Sequence, residues 1–209
     1  MAILHTTSTS VIEKSNWNQS HTIEDSTLTT AMYAASSITT DKISTTLVSL
    51  VASSEDPAAA TTLTISGLDG DTHGIYDVSG RVIKDGTSGT VGVRLNGDTG
   101  GNYNNRYRVI GSGGAGDVAA NDITYMRLVE PTQVCDASGF VAFNFRVIAK
   151  PGQKRRILGQ SNYSQTSQVT LLFTEEWTNT TTNLTSMAFI ATSGDIGGTG
   201  TYIRIYAMP

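Results

Sequence analysis

The feature that most constrains the fold is a run with a period of two between Phe140 and Lys150. One face of this run carries the apolar residues Val141, Phe143, Phe145, Val147 and Ala149. The other face carries Ala142, Asn144 and Arg146. Because successive side chains of a β-strand point to opposite sides, the run predicts a strand that buries one face against a core.

Runs of the same kind recur roughly every 10 to 15 residues, separated by turns rich in Gly or Asn. They predict further strands at residues 62–66, 75–84, 90–96, 122–129, 167–174, 184–192 and 201–208. No convincing helical pattern lies between them, which argues against β-α-β units. The sequence therefore predicts an antiparallel all-β sandwich or barrel.

Residues 1–60 differ from the rest because Ser and Thr dominate and large apolar residues are few. We predict an N-terminal arm over residues 1–60 and a β domain over residues 61–209. Ile43, Leu47 and Leu50 have helical spacing, but their β-branched neighbours have low helix propensity, so whether the arm is helical or extended stays open. Its apolar residues predict ordering on the chain's own β domain or on a neighbouring subunit.

Gly111, Gly113 and Gly116 form a G-x-G-x-x-G match. A dinucleotide site needs a helix whose N-terminus follows these glycines, whereas the sequence after Gly116 predicts a short link and a strand. We therefore interpret the glycines as part of a loop. Residues 96–102, NGDTGGN, predict another turn, since an Asn-Gly pair adopts positive φ at low cost.

The charge distribution does not indicate a nucleic-acid-binding surface, because the net charge is -4 and the basic residues are scattered. One compact basic run, residues 150–156, sits at a Pro-Gly turn and predicts a solvated loop between strands. Cys135 has no second cysteine to pair with inside the chain. Neither a signal peptide nor a long apolar run is found, so we expect a soluble protein without a membrane partner.

Catalytic residue patterns are weak. Only His5, His21 and His73 could serve as a histidine base, and no G-x-S-x-G elbow accompanies them. Glu175 and Glu176 are adjacent, so a strand would point them to opposite faces, which favours a solvated strand end over an acid-base pair. The interpretation is a protein that is not an enzyme.

Acidic residues in turns raise the question of Ca²⁺. Asp69 and Asp71, and separately Asp98 and Asp117, could offer oxygen ligands, yet the spaced ligands of an EF-hand are missing. Ordinary turn acids are the favoured interpretation, and a Ca²⁺ site stays open. No cofactor is predicted.

Three segments carry a resemblance to known proteins. SNWNQSHTI, residues 15–23, resembles a W-N-x-x-H-x-[IV] element near the N-termini of tailed-bacteriophage virion proteins, especially tail-fibre and accessory proteins. NGDTGGNY, residues 96–103, resembles an internal N-G-D-x-G-x-N-Y segment of a phage β-domain family, and the last 12 residues resemble its closing G-S-x-I-x-[IL]-Y-G strand. Thr201 and Ala207 depart from that closing pattern.

The resemblance implies a jelly-roll-like β-sandwich displayed on a virion, commonly as an oligomer, with a trimer as the expected state. It implies a capsid decoration protein or a surface-displayed accessory protein whose partners are other virion proteins, the major capsid or tail proteins. The alternative is a tail-fibre or tail-tip adhesin that binds a host-surface glycan. The candidate anchoring residues are Trp17, Asn18, His21 and Ile23. The candidate surface-contact residues are Tyr103, Tyr107 and Tyr163, because polar, Asn-rich or Gly-rich sequence surrounds them.

Overall fold

The computed structural model describes residues 49–111, 114–130, 135–137, 139–164 and 168–208. Thirteen strands and no helix occupy these ranges. In chain order they are β1 (Ser49–Glu55), β2 (Thr62–Ser66), β3 (Ile75–Asp85), β4 (Val91–Leu95), β5 (Tyr103–Gly111), β6 (Gly114–Ile123), β7 (Met126–Arg127), β8 (Phe140–Ile148), β9 (Arg155–Ser164), β10 (Gln168–Trp177), β11 (Ser186–Ala191), β12 (Asp195–Ile196) and β13 (Tyr202–Met208). Nothing helical in this part of the chain has the length and apolar character of a membrane span.

The strands form two sheets. The larger sheet has the order β1-β13-β3-β8-β9-β10-β5-β6, with β12 paired to β3, and the smaller has the order β2-β11-β4-β7. Neighbouring strands are antiparallel throughout both sheets. The prediction of an antiparallel all-β fold is confirmed. A jelly-roll connectivity stays a prediction.

The alternation of residues 140–150 produces the expected strand. In β8, Val141, Phe143, Phe145 and Val147 are buried, and Asn144 and Arg146 between them are exposed. The same pattern holds in β3 and β10, whose buried and less buried residues alternate along their whole length. Each of these strands of the larger sheet therefore has one face in the core and one face outside.

Aromatic rings join the two sheets across one core. Phe143 of β8 stacks on Phe189 of β11, with ring centroids 5.2 Å apart. Phe145 and Phe173 have centroids 6.3 Å apart on β8 and β10. Gly159 of β9 pairs with both, and a Cβ there would lie 2.4 Å from the Phe145 Cβ. Full burial of one such ring stabilises the fold by about 2 to 3 kcal/mol, so close packing here matters.

The predicted strand at residues 122–129 is wrong in extent. β6 ends at Ile123 and the short β7 occupies Met126–Arg127, in the other sheet. Asp122 has a φ of 54°, a left-handed conformation that Asp tolerates better than most residues. This change of direction takes the chain from the larger sheet to the smaller one.

Five strands were not predicted: β1, β5, β6, β9 and the short β12. Gly111 ends β5 and Gly116 lies in β6, which pairs back on β5 as an antiparallel neighbour. Gly111 and Gly116 therefore belong to paired strands rather than to a loop, and β6 stands where a nucleotide site would need a helix. Gly113 lies outside the described residues. The Asn96–Gly97 turn is as predicted, with φ values of 53° and 64°.

β1 lies within the segment predicted as the arm, and it pairs with β13 at one edge of the larger sheet. The anchoring candidates Trp17, Asn18, His21 and Ile23 lie outside the described residues. Their role and the limits of the arm stay predictions.

Candidate functional site

The turn after β4 is held by one carboxylate. Asp98 accepts hydrogen bonds from the Gly100 N–H at 2.8 Å, the Asn102 amide at 2.9 Å and the Trp177 indole at 2.7 Å. Burial opposes ionisation, but these three bonds together lower the pKa of Asp98. The carboxylate thus closes the turn and fixes the end of β10, which explains why Asp stands at this position of the NGDTGGN segment.

Asp69 holds a second turn. Its carboxylate accepts hydrogen bonds from the Thr72 hydroxyl at 2.7 Å, the Asn183 amide at 3.0 Å and the Asp71 N–H at 3.2 Å. The Thr72 and Asn183 bonds do most to lower its pKa to about 2. In the described ranges, no three His, Cys, Asp or Glu side chains come together as metal ligands. Asp69 acts here as a turn acid.

The three tyrosines predicted as surface contacts lie in the core, so that prediction is wrong. The exposed fractions of Tyr103, Tyr107 and Tyr163 are 0%, 4% and 1%. Burial raises the pKa of all three, that of Tyr163 to about 12. The Tyr103 hydroxyl accepts a hydrogen bond from the Leu95 N–H at 2.8 Å. The rings point inward because they occupy the same face of the larger sheet as its buried aliphatic residues.

Glu175 is buried, so the prediction of a solvated strand end is wrong for it. Only 1% of the residue is exposed, and both carboxyl oxygens lie 3.2 Å from the Arg127 backbone nitrogen. Burial raises the pKa of Glu175 well above its usual range, which favours the protonated carboxyl. Its register neighbour, Asn105, is also buried, and both polar atoms of that amide lack a hydrogen-bond partner.

A chain of polar side chains continues from this position between the sheets. The Arg127 guanidinium donates to the Tyr107 hydroxyl at 3.0 Å, and that hydroxyl donates to a Glu130 carboxyl oxygen at 3.4 Å. The Glu130 N–H donates to the Tyr163 hydroxyl at 3.3 Å. These bonds tie the segment after β7 to β5 and β9, so we assign the buried network a structural role.

Two buried cations are held by backbone carbonyls. The Lys84 ammonium donates to the carbonyls of Thr87 at 2.7 Å, Ser193 and Asp195 at 3.5 Å. Arg155 donates to the carbonyls of Asn179 and Thr182 at 2.5 Å and 2.6 Å. Arg155 is therefore the buried member of the basic run at residues 150–156. The turn of that run, at Gly152, is exposed as predicted.

His73, the remaining histidine candidate within the described ranges, packs edge-on against Tyr76 with ring centroids 6.1 Å apart. Its backbone N–H donates to the Asp69 carbonyl at 2.8 Å, which closes the same turn. Neither contact activates a hydroxyl. His5 and His21 lie outside the described part of the chain.

An open groove of about 410 Å³ crosses the outer face of the larger sheet. We call it the outer groove. β13 supplies Tyr202, Arg204 and Tyr206 along one side. β9 supplies Gln160 and Asn162 along the other side. The floor comes from β3 and β8, with Ser79, Gly80, Ala142, Phe143 and Asn144.

The register aligns the outer groove in two rows that cross the strands. One row runs through Arg204, Ser79, Asn144 and Gln160. The next runs through Tyr202, Arg81, Ala142 and Asn162. Directly paired residues of antiparallel strands share a face, so both rows present their side chains to the same outer side.

Comparisons with known proteins return nothing. No protein-family model, no curated protein and no solved structure matches the chain. A function for the chain therefore has to be inferred from its own residues and their geometry.

Proposed function

We propose that the chain is a non-enzymatic structural protein of a tailed-bacteriophage particle, and specifically a capsid decoration protein displayed on the particle surface. The observation that carries the proposal is the order of three phage-like motifs along the chain, at residues 15–23, 96–103 and 198–209. Each alone is short, whereas three in one order are more specific.

The positions of the second and third motifs in the fold support a structural role. The middle motif forms the turn that Asp98 closes, and Trp177 of the larger sheet is hydrogen-bonded to it. The last motif forms β13, which lies between β1 and β3 in the larger sheet. Both motifs thus hold the sandwich together rather than exposing reactive groups.

The chemistry of the described ionisable groups also supports a protein without catalysis. Glu175 is enclosed in the core, and the Lys84 ammonium is bound by carbonyl oxygens. A general acid or base must reach a substrate proton, and these groups contact only the protein. A rigid sandwich with exposed turns suits a particle component.

The proposal assigns attachment to residues 1–60, and β1 is the described strand of that segment. This strand pairs with β13 at the edge of the larger sheet, and Ser49 begins it. The preceding residues carry the first phage-like motif, at residues 15–23. In this proposal they bind the major capsid protein, and Trp17, Asn18, His21 and Ile23 supply contacts.

The test is sedimentation with undecorated capsids of the phage that encodes the chain. The full-length protein should sediment with the capsids as a defined oligomer, its mass measured by light scattering. A variant lacking residues 1–45 keeps every described strand and should stay folded by circular dichroism but remain in the supernatant. Equal binding by both proteins would remove the arm from the proposal, and binding by neither would remove capsid decoration.

A further inference from the structure

We propose that the outer groove binds a neutral oligosaccharide, by ring stacking on Tyr202 and hydrogen bonds to Asn144, Gln160 and Asn162. This inference goes beyond the proposed function, because particle attachment uses residues 1–60 and glycan binding uses the outer face of the larger sheet.

Tyr202 offers the stacking surface. It is 41% exposed, although it belongs to a strand whose alternate residues, Ile203 and Ile205, are fully buried. The Arg204 guanidinium carbon lies 5.6 Å from the Tyr202 ring centroid and restrains the ring from one side. An exposed aromatic face held in place is the surface on which the apolar face of a pyranose packs.

The floor and the β9 side of the outer groove offer amide groups. Neither the Asn144 nor the Gln160 side-chain amide bonds to another described residue. Asn162 accepts the Thr170 hydroxyl at 2.7 Å through its Oδ1, which leaves its Nδ2 to donate. An amide provides donors and an acceptor side by side, and sugar hydroxyls require both.

The charge around the outer groove favours a neutral ligand. Arg204 is paired with Glu55 at 2.9 Å, and Arg146 beyond the end of the groove is paired with Asp77 at 2.7 Å. Arg81 packs against Phe140, with its guanidinium carbon 4.6 Å from the ring centroid. Because Arg204 and Arg146 are already paired with carboxylates, these two cations contribute little to holding an anionic sugar.

The dimensions suit a short oligosaccharide. From β13 to β9 the outer groove spans three inter-strand spacings, about 14 Å. Small residues, Ser79 and Ala142, form the floor between the aromatic and amide sides. The side chains stand on paired strands, so little ordering is needed when a ligand binds.

The experiment applies the full-length protein to a printed panel of neutral oligosaccharides, comprising glucose, galactose, mannose and N-acetylglucosamine oligomers, beside sialylated and sulfated ones. The best neutral oligosaccharide is then titrated by calorimetry. We expect Tyr202→Ala and the double variant Asn144→Ala/Gln160→Ala each to weaken binding at least tenfold. Tyr202→Phe keeps the ring and should stay within threefold of the parent.

Arg108→Ala is the control on the same sheet face, since its side chain is 55% exposed and lies outside the outer groove. It should bind like the parent. Absence of neutral binding at millimolar concentration, binding of anionic sugars alone, or equal affinity in Tyr202→Ala would each overturn the proposal. Capsid sedimentation uses no glycan, so a failure here leaves the proposed function standing, and the reverse also holds.

Discussion

Lys84 provides the sharpest test of how the buried polar groups stabilise the sandwich. The residue is fully buried, and its ammonium donates to three backbone carbonyls in the segments that follow β3 and β11. Lys84→Met keeps the aliphatic stem and removes the donor. Each carbonyl left without a partner costs about 1 to 3 kcal/mol. The variant no longer has to bury a charged ammonium, and the desolvation cost that it avoids offsets part of this loss.

The net loss should therefore be about 3 kcal/mol of unfolding free energy, a large share of the roughly 5 to 15 kcal/mol typical of a domain. Urea denaturation followed by tryptophan fluorescence measures it, since Trp177 is 1% exposed. Lys154→Met is the matched control: its ammonium pairs with Glu176 at 3.0 Å on the surface, and such pairs contribute about 1 kcal/mol or less. If Lys84→Met lost no more than Lys154→Met, the carbonyl cage would contribute nothing and the proposed stabilisation would be refuted.

Two further predictions concern the core. Gly159→Ala should lower the free energy of unfolding by about 3 kcal/mol, because its Cβ would overlap Phe145 and backbone, whereas Gly116→Ala meets nothing within 4 Å and should change little. Equal urea midpoints for the two variants would contradict this. The pKa of Glu175 is higher in the folded than in the unfolded protein. The contribution of its protonated carboxyl to the free energy of unfolding is therefore complete below about pH 4 and is lost as pH rises through the folded pKa. Glu175→Gln should remove that fall from a series of denaturation curves between pH 4 and 8, and an unchanged pH profile would count against a buried neutral carboxyl.

The sequence predicted strands where most of the inward residues are large and apolar. β8 was predicted because Val141, Phe143 and Phe145 stand on one face. β5 was missed because Asn105 occupies an inward position, and β9 because Gly159 and Ser161 do. β6, with the sequence GAGDVAANDI, has few large apolar residues at all. Tertiary pairing, rather than local pattern, makes these strands.

The buried acid could have been found from the sequence. In β10, Val169, Leu171, Phe173 and Trp177 share the period-two register of Glu175 and are all buried with it. A carboxyl at an inward position of such a run predicts a buried acid. Tyr103, Tyr107 and Tyr163 were predicted on the surface because their polar neighbours were given more weight than their period-two register.

The outer groove could not be predicted, because it depends on which strands are neighbours. Tyr202 and Gln160 are far apart in the chain and are brought to one face by the order β13-β3-β8-β9. Alternation tells which side of a strand a residue occupies, but strand order comes from long-range packing.

Whether the chain is a component of a phage particle is decided by quantitative mass spectrometry of purified virions of the phage that encodes it. We expect the chain to be present, at a copy number comparable to that of the major capsid protein. A low, tail-like copy number would move the protein to the tail. Abundance in the infected-cell lysate with absence from purified particles would contradict the proposed function.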